Sequence, residues 1–348
     1  MQINLLGYYG FHNIGDDLML KNLLDFFLND TRITRINVFC REAYYSPQPR
    51  VKYFSLNRYS RLQKGWQLFK NKFTFWGGGT CFFESEGNNG IFELLRMQRI
   101  TGINRKKFAF LGVGIGELNS PRYISASEQL IKNSFLCYFR DHESLQKAEM
   151  LVKDKKYCLG GDLAFLSDIK PVTVSKELNK ISFSGHYDFK KFPLKQVADI
   201  LNDLIAKLNC RIYFLPAHTG TSYNDNIYHK QLAAHLNPES YEICDWNTPE
   251  EYLKTMQEMD FHIGIRLHSL IIADLLGIPN CGIAYSSKIT YYLNKTQILP
   301  DLRNIEPDNH DLVEKILNIK EQYKYPEKFI KSERESALSC LEQIFSYV

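Results

Sequence analysis

The feature that most limits the fold is a repeated change of hydrophobic period, with short apolar runs alternating with longer stretches of helical spacing along most of the chain. In the first half, strand-like runs fall at 3–6, 36–39, 73–76, 108–112 and 136–139, and helical patterns at 16–28, 91–99, 126–132 and 143–151. Strands separated by helices pair through crossovers, so this alternation specifies a parallel, doubly wound sheet. The segment 167–180 then turns polar and contains Pro171, which marks a domain boundary. A second alternation follows, with strands at 181–184, 211–215, 241–244, 261–265 and 280–284 and helices at 194–208, 227–235, 249–259 and 269–276.

The expectation is an α/β protein with two Rossmann-like, doubly wound domains facing a cleft, at 1–170 and 178–325. A charged amphipathic helix at 326–348, marked by Phe329, Ala337, Leu341 and Phe345, can cross back. That is the GT-B architecture, whose ligands bind between domains. A chain of 348 residues is long enough for two cores of ordinary size. Its eight cysteines are scattered without a CxxC pair and mostly lie in apolar runs, so they read as reduced core residues of a cytoplasmic protein. The first residues run directly into a strand pattern, without a basic leader or an apolar stretch of membrane-spanning length.

Chemistry concentrates where strands end. Arg266 and His268 sit two apart between the apolar run 261–265 and an apolar helix that stops at Gly277-Ile278-Pro279. A guanidinium and an imidazole at a strand-to-helix turn form an anion site beside a proton donor, with the helix N-terminus aimed at the same spot. Three glycine-rich stretches follow first-half strands: 7–16, which includes Asn13 and Asp16; Gly77-Gly78-Gly79; and 112–116, which includes Gly114 and Gly116. Together they predict a ligand-facing rim, although the first lacks the GxGxxG spacing of a dinucleotide site. In Arg140-Asp141-His142-Glu143-Ser144, Asp141 suits a helix N-cap, which leaves Arg140 free to reach the cleft. His218 and Lys288 follow second-half strands and are further candidates for substrate contact. No cluster has metal-ligand spacing, so no metal is expected.

The ordered motifs GYYGFHNIGDD, GGG, GVGIG, RDHES, GDLAF and GIRLHSLIIADLLGIP, spread over residues 1–290, resemble those of the polysaccharide pyruvyl transferases. Two positions depart from the pattern: Leu163 stands where DPAF has proline, and Tyr285-Ser286-Ser287-Lys288 replaces YDPK. The resemblance implies a GT-B-like transferase that moves the enolpyruvyl skeleton of phosphoenolpyruvate onto two sugar hydroxyls, giving a pyruvate ketal and phosphate in cell-surface polysaccharide synthesis. It implies that Arg140, Arg266 and His268 serve phosphoenolpyruvate, with the C-terminal domain as the donor side and the N-terminal domain as the acceptor side. The acceptor is a sugar, free or polyprenyl-diphosphate-linked; no separate cofactor and no nucleic-acid partner is expected. The residue chemistry agrees: a carboxylate and a phosphate each suit a guanidinium fork, and a dianionic ligand favours a protonated imidazole at His268. Rival readings are a nucleotide-sugar glycosyltransferase with Arg266 and Lys288 on the diphosphate, and a catalytically silent binding relative.

The net charge of +4 is unevenly spread. Between Ala43 and Phe83 there is no acidic residue, whereas Arg50, Lys52, Arg58, Arg61, Lys64, Lys70 and Lys72 all fall there. Tyr59, Leu62, Trp66 and Phe69 form one helical stripe in it. The favoured reading packs this stripe against the sheet; the alternative lays the helix on the inner face of an anionic membrane as a peripheral contact.

Overall fold

The structure, a computed structural model, describes all residues except 56–57, 85–89, 103–106, 154, 222, 284–286, 306–311 and 348. The chain divides into two compact units: unit 1 comprises Met1–Phe11, Asp16–Ser167 and Lys331–Val348, and unit 2 comprises His12–Gly15 and Asp168–Ile330. The segment His12–Gly15, which sequence order puts in the N-terminal half, is thus part of unit 2, and the C-terminal residues from Lys331 belong to unit 1.

The unit 1 strands are β1 (Gln2–Leu6), β2 (Arg35–Cys40), β3 (Val51–Ser55), β4 (Phe73–Gly77), β5 (Thr80–Phe82), β6 (Lys107–Ile115), β7 (Leu136–Phe139) and β8 (Cys158–Leu159). Between them run α1 (Ile14–Leu28), α2 (Arg61–Lys70), α3 (Gly90–Gly102), α4 (Pro121–Lys132) and α5 (His142–Leu151). All pairings are parallel, in the order β3-β2-β1-β4-β6-β7-β8 with β5 beside β6. The inner strands are buried on both faces, so polar residues in them need partners. Asn4 meets this need by accepting from Asn37 (3.2 Å) and Asn71 (2.6 Å) and donating to Thr74 (3.1 Å). A one-residue slip of β1 would break that seam, so it fixes register where apolar packing alone would not.

In unit 2 the strands are β9 (Lys180–Ser184), β10 (Arg211–Phe214), β11 (Tyr241–Ile243), β12 (Phe261–Gly264), β13 (Asn280–Ile283) and β14 (Asn304–Ile305). Its helices are α6 (Leu194–Leu208), α7 (Asn226–Ala233), α8 (Pro249–Gln257), α9 (Leu267–Leu276), α10 (Ser287–Thr296), α11 (Pro300–Arg303) and α12 (Leu312–Gln322); α13 (Glu327–Glu342) begins here and joins unit 1 from Lys331. The parallel order β11-β10-β9-β12-β13-β14 reverses direction between β9 and β12, the Rossmann switch point. Polar seams recur: His262 lies between the hydroxyls of Ser182 (2.8 Å) and Ser269 (2.9 Å), and Arg303 pairs with Asp274 at 2.8 Å, both fully buried.

Two expectations are corrected. The stretch 112–116 is not a loop: β6 continues to Ile115, because β5 pairs with it at Gly114 and Ile115. The aromatic stripe of α2 does not face the sheet, since Leu62 and Trp66 are 86% and 61% exposed and Leu68 is the buried residue. All eight cysteines are free and buried.

Burial holds His229 and His262 neutral, each pulled down to about 3. The unfolded chain binds these protons near the ordinary histidine value of about 6.5, so both stabilise above it and that stability is lost as pH falls toward about 3. Urea midpoints should drop between about pH 7 and pH 5. His262→Asn, less stable at neutral pH, should show a smaller drop; an unchanged pH slope would contradict the assignment.

Candidate functional site

The two arginines read from the sequence lie in separate units and in different surroundings. Arg266 follows β12 at the carboxyl end of the switch-point strand and occupies the N-cap position of α9, with His268 in the first turn. Its side chain is 19% exposed, and the guanidinium is gripped by Asp225, which accepts from Nε at 3.1 Å and from Nη2 at 2.5 Å. Asp225, absent from the sequence-based candidates, is fully buried. It also accepts from the backbone of Tyr187 (3.0 Å) and His218 (3.0 Å), so one carboxylate ties together the ends of β9, β10 and β12. Burial pushes the Asp225 carboxyl up, and Arg266 and those two amides oppose the shift. Tyr187 lies 5.7 Å from the Arg266 guanidinium, a cation–π contact. Its neighbour His186 is held neutral, pulled down to about 3 by burial and by Arg266.

Sequence reasoning missed Tyr187 and His186, although Gly185-His186-Tyr187 follows the strand at 181–184 as directly as Arg266 follows its own. Asp225 had no such signal, since it stands beyond a polar loop and is recruited by the fold.

The segment His12–Gly15 completes this cluster. Asn13 forms an antiparallel bridge with His218, fixed by Ile14 N to Ala217 O (3.0 Å) and Thr219 N to His12 O (2.9 Å). Asn13 Oδ1 accepts from Gly15 N at 3.2 Å. Gly15 lies directly against the His268 imidazole, where an added Cβ would stand 2.0 Å from Nδ1. Unit 2 therefore assembles Asn13, His218, Arg266 and His268, with His218 buried as a loop anchor. Lys288, the second residue of α10, is exposed; Tyr285 and Ser286 before it lie outside the described residues.

In unit 1 the expectation for Arg140 is corrected. Its side chain is 5% exposed rather than free: Nη1 donates to Asp162 (3.0 Å), Nη2 to Thr80 (3.2 Å), and Nε lies 3.5 Å from Asp141. Burial works against its charge, but Asp162, Asp141 and Asp16 outweigh it and raise the guanidinium pKa. Asp141 is the N-cap of α5, accepting from Ser144 N at 2.7 Å. Gly78 and Gly79 turn with φ of +74° and +73°, and an added Cβ on Gly79 would come within 3.1 Å of Asp16 Oδ1. On Gly114 it would stand 3.2 Å from Arg140, and on Gly116 2.9 Å from Phe83, so both glycines serve close packing.

These geometries generate two expectations. Arg140→Ala breaks the buried Arg140–Asp162 pair and should cost about 3 to 5 kcal/mol in denaturant unfolding; a loss near zero would show the pair to be dispensable. Gly15→Ala should cost about 1 to 3 kcal/mol by overpacking. That cost should largely vanish in a His268→Ala background, because the double-mutant cycle isolates the contact. Additive costs would show that the alanine methyl clashes elsewhere.

Comparison with solved structures finds the same architecture in proteins of very different sequence. The UDP-GlcNAc 2-epimerase from Neisseria meningitidis bound to UDP-GlcNAc is 11% identical, with a TM-score of 0.64 over 99% of this chain and 100% of that chain. The Methanocaldococcus jannaschii UDP-GlcNAc 2-epimerase is 14% identical, with a TM-score of 0.62 over 100% of both chains. A further UDP-N-acetylglucosamine 2-epimerase is 10% identical, with a TM-score of 0.66 over 100% of this chain and 96% of that chain. At such identities the likeness carries the fold alone, which is GT-B-like. No sequence match was found among curated proteins. A family model described as polysaccharide pyruvyl transferase matches residues 13–287, from the bridge residue Asn13 through the Arg266 and His268 turn to the start of α10, and the chain belongs to that family.

Proposed function

We propose that the protein transfers the enolpyruvyl group of phosphoenolpyruvate to two hydroxyls of a sugar, forming a pyruvate ketal and releasing phosphate. The observation that carries this reading is the Arg266 turn: a guanidinium at the switch point, aimed by a buried carboxylate, two residues before an imidazole in the first turn of α9. Asp225 occupies the Nε and Nη2 edge, so the fork meets an anion through its Nη1 side. A charge-assisted hydrogen bond there contributes about 1.5 to 3 kcal/mol.

His268 delivers a proton to the vinyl methylene, which becomes the methyl group and leaves cationic character at C2. One sugar hydroxyl attacks C2, the second displaces phosphate, and of the two hydroxyl protons one restores the imidazolium and the other leaves with phosphate. Arg266 holds the donor's anionic group throughout, and the N-terminal dipole of α9 favours that negative charge. Arg140, buried among carboxylates, organises the loops of unit 1 around Gly79 and Thr80 and is not assigned a donor contact.

The experiment is phosphate release from phosphoenolpyruvate with a panel of galactose, glucose, mannose and N-acetylhexosamine acceptors, free and polyprenyl-diphosphate-linked. Arg266→Ala should lower kcat/KM by roughly tenfold to a hundredfold, the equivalent of one charge-assisted contact. His268→Ala should lower kcat by roughly two to four decades while keeping donor affinity. Turnover of a nucleotide sugar without phosphoenolpyruvate-dependent phosphate release would overturn the reading.

A further inference from the structure

Helix α2 presents an apolar surface that the proposed reaction does not use. Leu62 and Trp66, one turn apart, are 86% and 61% exposed, and Trp66 lies against Phe69 with ring centroids 5.7 Å apart. Beside them is an open groove of about 870 Å³, walled by Phe54, Tyr59, Leu62, Trp66, Phe69 and Ile100. Exposed tryptophan and leucine side by side over a groove are costly in water and mark a surface that meets something.

The surrounding charge says what. Lys52, Arg61 and Arg96 line the groove, Arg96 3.9 Å from Glu93 and Lys52 holding its ammonium 5.1 Å from the Phe54 ring and 5.4 Å from the Tyr59 ring. Arg58 and Lys70 are exposed at either end of the helix, and no acidic residue occurs from Ala43 to Phe83. The helix is firmly built for its length. Ser60 caps its N-terminus in a capping box with Gln63, and Leu68 anchors it in the unit 1 core. Aromatic and aliphatic side chains projecting from a short anchored helix, ringed by lysine and arginine, match a bilayer interface in which ring and alkyl groups enter the acyl boundary and cations meet lipid phosphates. Among the described residues no helix is long and apolar enough to cross a membrane, so the contact is with the surface.

We propose that α2 docks unit 1 on a bilayer containing anionic phospholipid, with Leu62 and Trp66 inserted and Lys52, Arg58, Arg61 and Lys70 on the headgroups. The docking is independent of the transferase reading and is tested without turnover. Full-length protein is floated with phosphatidylcholine vesicles with and without phosphatidylglycerol, at low and high salt, beside Leu62→Gln/Trp66→Gln and Arg58→Glu/Arg61→Glu/Lys70→Glu. All altered side chains are exposed, and matching melting curves confirm that the variants fold. The native protein should float with anionic vesicles and be released by salt, because screening shortens from about 10 Å at 0.1 M to about 3 Å at 1 M. Each variant should partition roughly tenfold less or weaker still. Trp66 emission should shift to the blue on binding, and Trp66→Phe should abolish that change. Equal flotation of native and variant proteins would overturn the proposal. So would self-association of the native chain, by sedimentation, that Leu62→Gln/Trp66→Gln abolishes, since the surface would then be an interface between copies.

Discussion

The Arg266–Asp225 fork is the interaction on which the unit 2 site depends. A buried ion pair seldom adds much net stability, because desolvation consumes most of the Coulombic gain. Its value here lies in placement. Asp225 has four acceptor directions and uses them on the guanidinium and on two loop amides, so the ends of three strands share one anchor. His218, held by that anchor, pairs with Asn13, and the segment so positioned brings Gly15 against His268. Asp225 thus links the Arg266 guanidinium to the segment that packs on the imidazole.

The same residue type meets opposite conditions in unit 1. Arg140 has carboxylates on two sides and little exposure, so its charge is consumed within the fold. Arg266 has one carboxylate on one edge and remains partly open. Both arginines follow strands and precede helices, so local sequence cannot separate them. The difference arises from Asp162 and Asp225, which stand 22 and 41 residues away from their partners.

Much of the architecture was legible because it rests on local period. The strands of both sheets and the helices around them follow from apolar spacing, and the turn carrying Arg266 and His268 from charge interrupting an apolar run. What sequence could not show was set by distant pairing. Gly114 lies in a strand because β5 pairs there, an event no local pattern announces. The stripe on α2 has a spacing common to core helices, but Leu68, off the stripe, is the residue that turns inward. Asp225 lay unnoticed in a polar loop because its partners are supplied by three other strand ends.

The division of the chain has a consequence for its birth on the ribosome. Unit 1 takes residues from both sides of unit 2: Phe345 stacks on Phe26 at 5.3 Å, and Arg334 donates to the carbonyl of Ser167 at 2.8 Å. Residues 168–330 of unit 2 emerge as one uninterrupted stretch between these events. During translation the N-terminal sheet must therefore wait, incompletely covered, while the later unit gathers its core. At about 5 to 20 residues per second, that interval lasts roughly ten to thirty seconds. The unit that leads in sequence is the one that closes last, and for those seconds the α1 face awaiting Phe345 is open to chaperones or to a neighbouring nascent chain.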